Sequence, residues 1–151
     1  MPDYMKELDK LYNELAKEKV MVLATSAGNR VTARNMSVVC VNGSIYFQTD
    51  SNMTKIRQIK KNNNVALCVG NIQIEGKAEL IKSWDDIPDI LEEYKKYHED
   101  AYEKYKVVAA EVIVKVLPKF VEKWEYINGK PYIYTLDTEK KTVLLEEYEL
   151  K

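Results

Sequence analysis

Arg34 and Lys55 are the two residues whose types and setting most suggest chemistry. Arg34 stands among apolar neighbours in Val31-Thr-Ala-Arg34-Asn-Met-Ser-Val-Val-Cys-Val41, and Lys55 ends the hydroxyl-rich run Thr49-Asp-Ser51-Asn-Met-Thr54-Lys55. A helix expected to start near Ser51 would present free backbone N–H groups. The hydroxyls of Thr49, Ser51 and Thr54 and the Lys55 ammonium gather at the same place. With Arg34 approaching from the preceding strand, the set suits a phosphate dianion. An arginine in apolar surroundings needs an anion, and two sources stay open: a structural carboxylate or a bound ligand. Lys55 in isolation reads as a solvated helix lysine; its neighbours give it a second meaning.

Other chemistries find little support. The chain has no Ser/His/Asp set, no HExxH, no cysteine–histidine metal spacing and no GxGxxG or Walker-type loop. His98, the only histidine, is expected on the exposed face of a polar helix. Cys40 and Cys68 lie in apolar strand patterns without CxxC spacing and read as buried reduced thiols, with no metal site. Of 23 basic residues only Arg30, Arg34 and Arg57 are arginine, so each is expected where a rigid fork of donors is useful. The formal net charge of -1 gives no field to attract nucleic acid or an anionic membrane, despite eleven tyrosines that could stack on bases. No run approaches the roughly 20 apolar residues of a membrane span. The charged N-terminus lacks a secretory pattern, so a cytoplasmic location is the default expectation.

The elements that must position these residues follow from periodicity. With 151 residues, 46% hydrophobic and 31% charged, one globular domain over 1–151 is expected. Met5, Leu8, Leu11, Tyr12 and Leu15 mark an amphipathic helix over 3–18. Residues 20–26 form a short apolar strand, Ala27-Gly28-Asn29 a turn, and 30–41 a second strand. Asn42-Gly43 joins this strand to 44–49 as a hairpin. Met53, Ile56 and Ile59 predict a short helix over 52–62. Strands follow at 65–69 and 72–81, then a helix from Asp85 to about Lys104 with Pro88 in its first turn. Residues 107–117 read as a strand and 120–126 with 132–136 as a hairpin about Asn128-Gly129; 142–148 fit a strand or a helix equally. So many short strands, with flanking helices, predict a mainly β, antiparallel, closed or partly closed barrel.

In order and spacing these landmarks resemble the FMN-binding split-barrel superfamily of pyridoxamine 5'-phosphate oxidase and its smaller relatives. The resemblance rests on Val20-Met-Val-Leu-Ala-Thr25, Val31-Thr-Ala-Arg-Asn-Met-Ser-Val-Val39, Ile45-Tyr-Phe-Gln-Thr-Asp-Ser-Asn-Met-Thr-Lys55, Val65-Ala-Leu-Cys-Val69, Ile72-Gln-Ile-Glu-Gly-Lys-Ala78 and Pro118-Lys-Phe-Val-Glu-Lys-Trp124. It spans about residues 5–136 and is strongest over 20–80.

The resemblance implies FMN as cofactor and a homodimer with FMN at the subunit interface. It places Arg34 and Lys55 on the phosphate, Asn35, Met36 and Ser37 beside the isoalloxazine ring, and Gln48 and Thr49 at the end of the next strand. Trp124 resembles a late aromatic brought towards the flavin from the partner chain; packing in the core or dimer explains it equally well. Asn71 falls where relatives carry an amide near the ring. Two departures matter. Val39 stands where the oxidases carry the lysine of Arg-x-Val-Leu-Leu-Lys. No C-terminal Arg/His motif for a substrate phosphate follows Trp124. The pattern therefore fits a general-stress or nitroimidazole-reductase type of relative better than a true oxidase of pyridoxamine 5'-phosphate. The expected function is a flavin-dependent oxidoreductase using NADH or NADPH and a small-molecule substrate. The alternatives are a flavin-binding or stress-response protein without turnover, a barrel that takes haem or a deazaflavin, and a structural dimer with an empty cleft.

Overall fold

The computed structural model describes residues 2–151. Asp3 opens the first helix, α1 (Tyr4–Ala16), by accepting a bond from the Met5 N–H, and α1 buries Leu11 and Leu15 against the sheet. Nine strands follow: β1 (Val20–Ala27), β2 (Arg30–Ser37), β3 (Val39–Val41), β4 (Ser44–Asp50), β5 (Asn64–Val69), β6 (Ile72–Ile81), β7 (Glu111–Ile127), β8 (Lys130–Asp137) and β9 (Thr142–Glu147). Between β4 and β5 lies α2 (Thr54–Lys61); between β6 and β7 a 3-10 turn (Trp84–Asp86) leads into α3 (Pro88–Tyr105). No helix is long and apolar enough to cross a membrane among the described residues.

All pairings are antiparallel, in the order β2-β1-β5-β6-β7-β4-β3, with β8 and β9 added along β7. The two ends of that ladder, β2 and β3, are consecutive in the chain and meet at Val38. The segment 30–41, expected as one strand, is thus bent at Val38, whose N–H bonds the Lys19 carbonyl. The sheet curls until its two edges lie side by side with no ladder bond between them. This is a split barrel, and the split is where β2 leaves β1 to become β3.

β7 is a single strand of 17 residues where two separate elements were expected. It serves β4 through Glu111–Val116 and β8 through Phe120–Ile127, and runs along β6 for most of its length. Pro118, which cannot donate a ladder bond, falls where the register with β6 shifts between Glu75 and Gly76. Residues 142–147 resolve as a strand. The main core lies inside the barrel under α1 and α2 and includes Leu23, Phe47, Ile56, Ile74 and Val114. A second, smaller cluster of Val39, Tyr46, Trp84, Tyr94 and Ile113 seats α3 on the outer side of β3, β4 and β7.

Two expectations fail here. Cys68 is exposed, because its strand buries only alternate residues, whereas Cys40 is buried and its thiol is pushed up to about 12 by desolvation. His98 is not an exposed helix residue: it breaks the helical geometry of α3, with φ -136 and ψ 45, and its Nε2 lies 2.8 Å from the Val38 carbonyl. The imidazole therefore ties α3 to the corner where the barrel splits.

Candidate functional site

Thr32, Arg34 and Met36 share the inward face of β2, because side chains alternate along a strand. Thr25 of β1 stands directly opposite Thr32, and Leu23 opposite Arg34. The Arg34 guanidinium donates through Nη1 to Thr25 Oγ1 (2.9 Å) and the Leu23 carbonyl (3.3 Å), and through Nη2 to Thr32 Oγ1. These are neutral acceptors. Burial lowers the Arg34 pKa, and the group keeps its charge because its ordinary value is far above neutrality.

Lys55 comes from the first turn of α2 and is only 7% exposed. Its Nζ lies 3.1 Å from Thr49 Oγ1 and 3.1 Å from Met53 Sδ. Its pKa is lowered, chiefly by burial and then by Arg34, with Asp50 opposing. Among the described residues, neither cation has a carboxylate oxygen within 4.0 Å. Lys55 also sits at the wrong end of a helix dipole, beside an N-cap, Met53, that offers no side-chain bond. A buried ammonium next to a guanidinium, without a counter-ion, is unfavourable in the protein alone; such local conflicts mark binding sites.

The two cations share one cleft of about 260 Å³ at the split of the barrel, which also takes in Asn35, Met36, Ser37, Gln48 and Thr49. Seven of the residues expected at the site thus converge. Trp124 does not: it lies on β7 opposite Ile133 of β8, packed edge-on against Tyr126 and Tyr148. Asn71 is there too, donating to the Trp124 carbonyl at 2.7 Å. Two hydroxyls of the expected cluster also point elsewhere. α2 begins at Thr54 rather than near Ser51, and Ser51 Oγ donates to the Ala110 carbonyl at 2.8 Å. Thr54 accepts from Arg57 and faces a neighbouring groove with Arg30 and Lys61.

Sequence reading missed the wall opposite the cations. α3, kinked at His98, forms this wall, and Tyr94, Ala101 and Tyr105 line the cleft from both sides of the kink. Burial pushes the Tyr94 hydroxyl up to about 12, so it stays protonated. Gln48 is buried; its Nε2 donates to a Glu111 carboxylate oxygen, and its Oε1 has no partner. A carboxylate can only accept, so the amide nitrogen must face Glu111 and the orphaned acceptor stays on the other side.

Gln58 was also missed, one turn after Lys55 on the inward stripe of α2 and buried. Its Oε1 accepts from the Thr25 and Thr32 hydroxyls, and its Nε2 donates to the Arg30 carbonyl at 3.1 Å. The available signal was its position: Lys55, Gln58 and Ile59 fall at i, i+3 and i+4, so a helix burying Ile59 brings Gln58 inward. Met53, expected on the buried face, is exposed.

The cleft therefore offers two unpaired cations at one end, an unpaired buried acceptor in its wall and aromatic side chains above. The donor set fits a phosphate monoester carrying a flat heterocycle. The pyridoxamine 5'-phosphate oxidase family model matches residues 7–125, and the chain belongs to that family. No curated protein matches the sequence.

Solved structures share the fold. A pyridoxamine 5'-phosphate oxidase-related, FMN-binding protein from Nostoc punctiforme superposes with a TM-score of 0.66 at 15% identity, covering 97% of this chain and 95% of its own. General Stress Protein 26 from Bacillus anthracis gives 0.60 at 19% identity, with 78% and 92% covered. An FAD-binding protein from Mesorhizobium loti gives 0.60 at 14%, with 77% and 90% covered.

Proposed function

We propose that this protein binds FMN in the cleft at the split of the barrel and acts as a flavin-dependent oxidoreductase on a small molecule. The observation that carries the reading is a pair of cations, the buried Lys55 and the half-buried Arg34, that face one cleft without a carboxylate. They would hold the phosphate, with the Thr49 hydroxyl beside Lys55. Asn35, Met36 and Ser37 would border the ring from β2, and Gln48 would face its polar edge. The family and the flavin named for two of the structural relatives support the same assignment.

FMN would supply the redox chemistry, accepting a hydride from NADH or NADPH and passing electrons to the substrate. The chain itself binds, orients and shields. Tyr94, Ala101 and Tyr105 cover one side of the cleft, and the other side stays open in a single protomer. A second copy closing it, with Trp124 of that copy near the ring, completes the site in this reading.

The test is a visible spectrum of the purified protein followed by FMN titration of the deflavinated form. Yellow wild type and colourless Arg34→Ala, with unchanged circular dichroism, support the assignment. Full FMN affinity in Arg34→Ala refutes it. Anaerobic mixing with NADH or NADPH then reads turnover: bleaching within seconds supports an oxidoreductase, and a flavin that stays oxidised for hours leaves only a carrier.

A further inference from the structure

We propose that Gln58, which touches no ligand in this arrangement, sets the hydrogen-bond polarity that aims Arg34 at a phosphoryl group. The inference rests on the phosphate-site reading above and adds a positioning residue to it. Polarity starts at the Arg30 carbonyl, which can only accept. Gln58 Nε2 must therefore face it, and Oε1 is turned towards β1 and β2. That oxygen lies within hydrogen-bond distance of both Thr25 Oγ1 and Thr32 Oγ1, so each hydroxyl commits its single proton to it. The two hydroxyl oxygens, 3.3 Å apart, are then left with lone pairs only. Both can accept from Arg34, and neither can donate to a ligand.

The consequence for Arg34 follows by counting donors. A guanidinium has five N–H groups. Nη1 uses two, on Thr25 and the Leu23 carbonyl, and Nη2 uses one on Thr32. Two adjacent hydroxyl oxygens match the end-on pair of a guanidinium. Nε–H and the second N–H of Nη2 remain, and these form the side-on pair that grips two oxygens of one phosphate. Without Gln58 the hydroxyl protons are free to turn, the threonines no longer act as obligate acceptors, and the guanidinium loses the seat that keeps its side-on edge facing outward. Gln58 also bonds the strand start at Arg30, so the same side chain locks α2 against the β1–β2 hairpin.

The experiment compares FMN with riboflavin, which lacks the phosphate, in titrations of deflavinated protein. In wild type the FMN-to-riboflavin affinity ratio measures the phosphate grip. Gln58→Met is expected to lower that ratio roughly tenfold while riboflavin affinity stays within about threefold. Thr32→Val lowers it similarly, and Thr32→Ser, which keeps the hydroxyl, retains it. Should Gln58→Met fail to fold, Gln58→Asn, whose amide is one methylene too short to span both hydroxyls, carries the same expectation. A wild-type ratio near one overturns the phosphate-site reading and this inference with it. A large wild-type ratio that Gln58 substitution leaves unchanged, or an equal loss of both ligands, overturns the inference alone.

Discussion

Replacing Lys55 by methionine separates what this cation does for a ligand from what it does to the fold. In the free protein the ammonium is buried, stands near Arg34 and occupies the first turn of α2, and only hydroxyl and thioether atoms contact it. Methionine keeps the length and packs well beside Met53, so the substitution removes a desolvated charge with little loss of volume. Relieving such a conflict at a functional site typically yields about 0.5–2 kcal/mol. For a chain of this size each kcal/mol moves the melting midpoint by about 2–4 °C, so deflavinated Lys55→Met should melt about 1–8 °C above wild type. Against this, a charge-assisted bond to phosphate is worth about 1.5–3 kcal/mol, so FMN affinity should fall by about 10- to 150-fold. Riboflavin affinity should hardly change. The gain in melting temperature should also depend on pH. The Lys55 pKa is lower folded than its ordinary 10.5, so between those values the folded state binds fewer protons and wild-type stability rises with pH. The penalty is fully present below the folded value and is relieved above it, so the variant's advantage shrinks as pH approaches 10.5. Calorimetry of the two deflavinated proteins across pH 7–10, with flavin titrations at pH 7, reads all of this. A variant that melts below wild type, or that binds FMN as tightly, refutes the reasoning.

Further outcomes are expected elsewhere in the molecule. Gly43→Ala should destabilise by about 1–3 kcal/mol in denaturant unfolding, because φ is +81° and an added Cβ would fall 2.2 Å from the Tyr12 ring. Gly76→Ala should cost a similar amount, since its Cβ would meet Val116 Cγ1 at 2.7 Å and the Leu117 carbonyl at 2.8 Å in the bulge beside Pro118. His98→Ala removes the bond to the Val38 carbonyl; a loss of about 1 kcal/mol and faster hydrogen exchange in the second half of α3 are expected, read by mass spectrometry. In the native protein a thiol reagent should titrate Cys68 alone, with Cys40 reacting only after denaturation, because burial holds that thiol protonated.

Much of the site was legible from local chemistry. A scarce arginine inside an apolar strand, and a lysine closing a hydroxyl-rich turn, gave Arg34 and Lys55 before any fold was known. The Asn42-Gly43 hairpin placed the strand that carries Gln48 and Thr49 through a short-range rule, and the role expected of that pair came from the family resemblance. Contacts between distant segments left no such trace. Nothing in Ser51 announces that its hydroxyl turns to the Ala110 carbonyl, and nothing in His98 announces Val38 as its partner, 60 residues away.

The amino-acid sequence by itself determined the antiparallel strands, the helices that flank them and the pair of cations, because periodicity and residue type act over a few neighbours. Tertiary structure alone decided that 30–41 bends at Val38 to form both edges of the sheet. It also decided that β7 runs unbroken past Pro118 and that Gln58 reaches across to Thr25 and Thr32. These depend on how the sheet curls, which is settled by packing of the whole core and is written in no single stretch of chain.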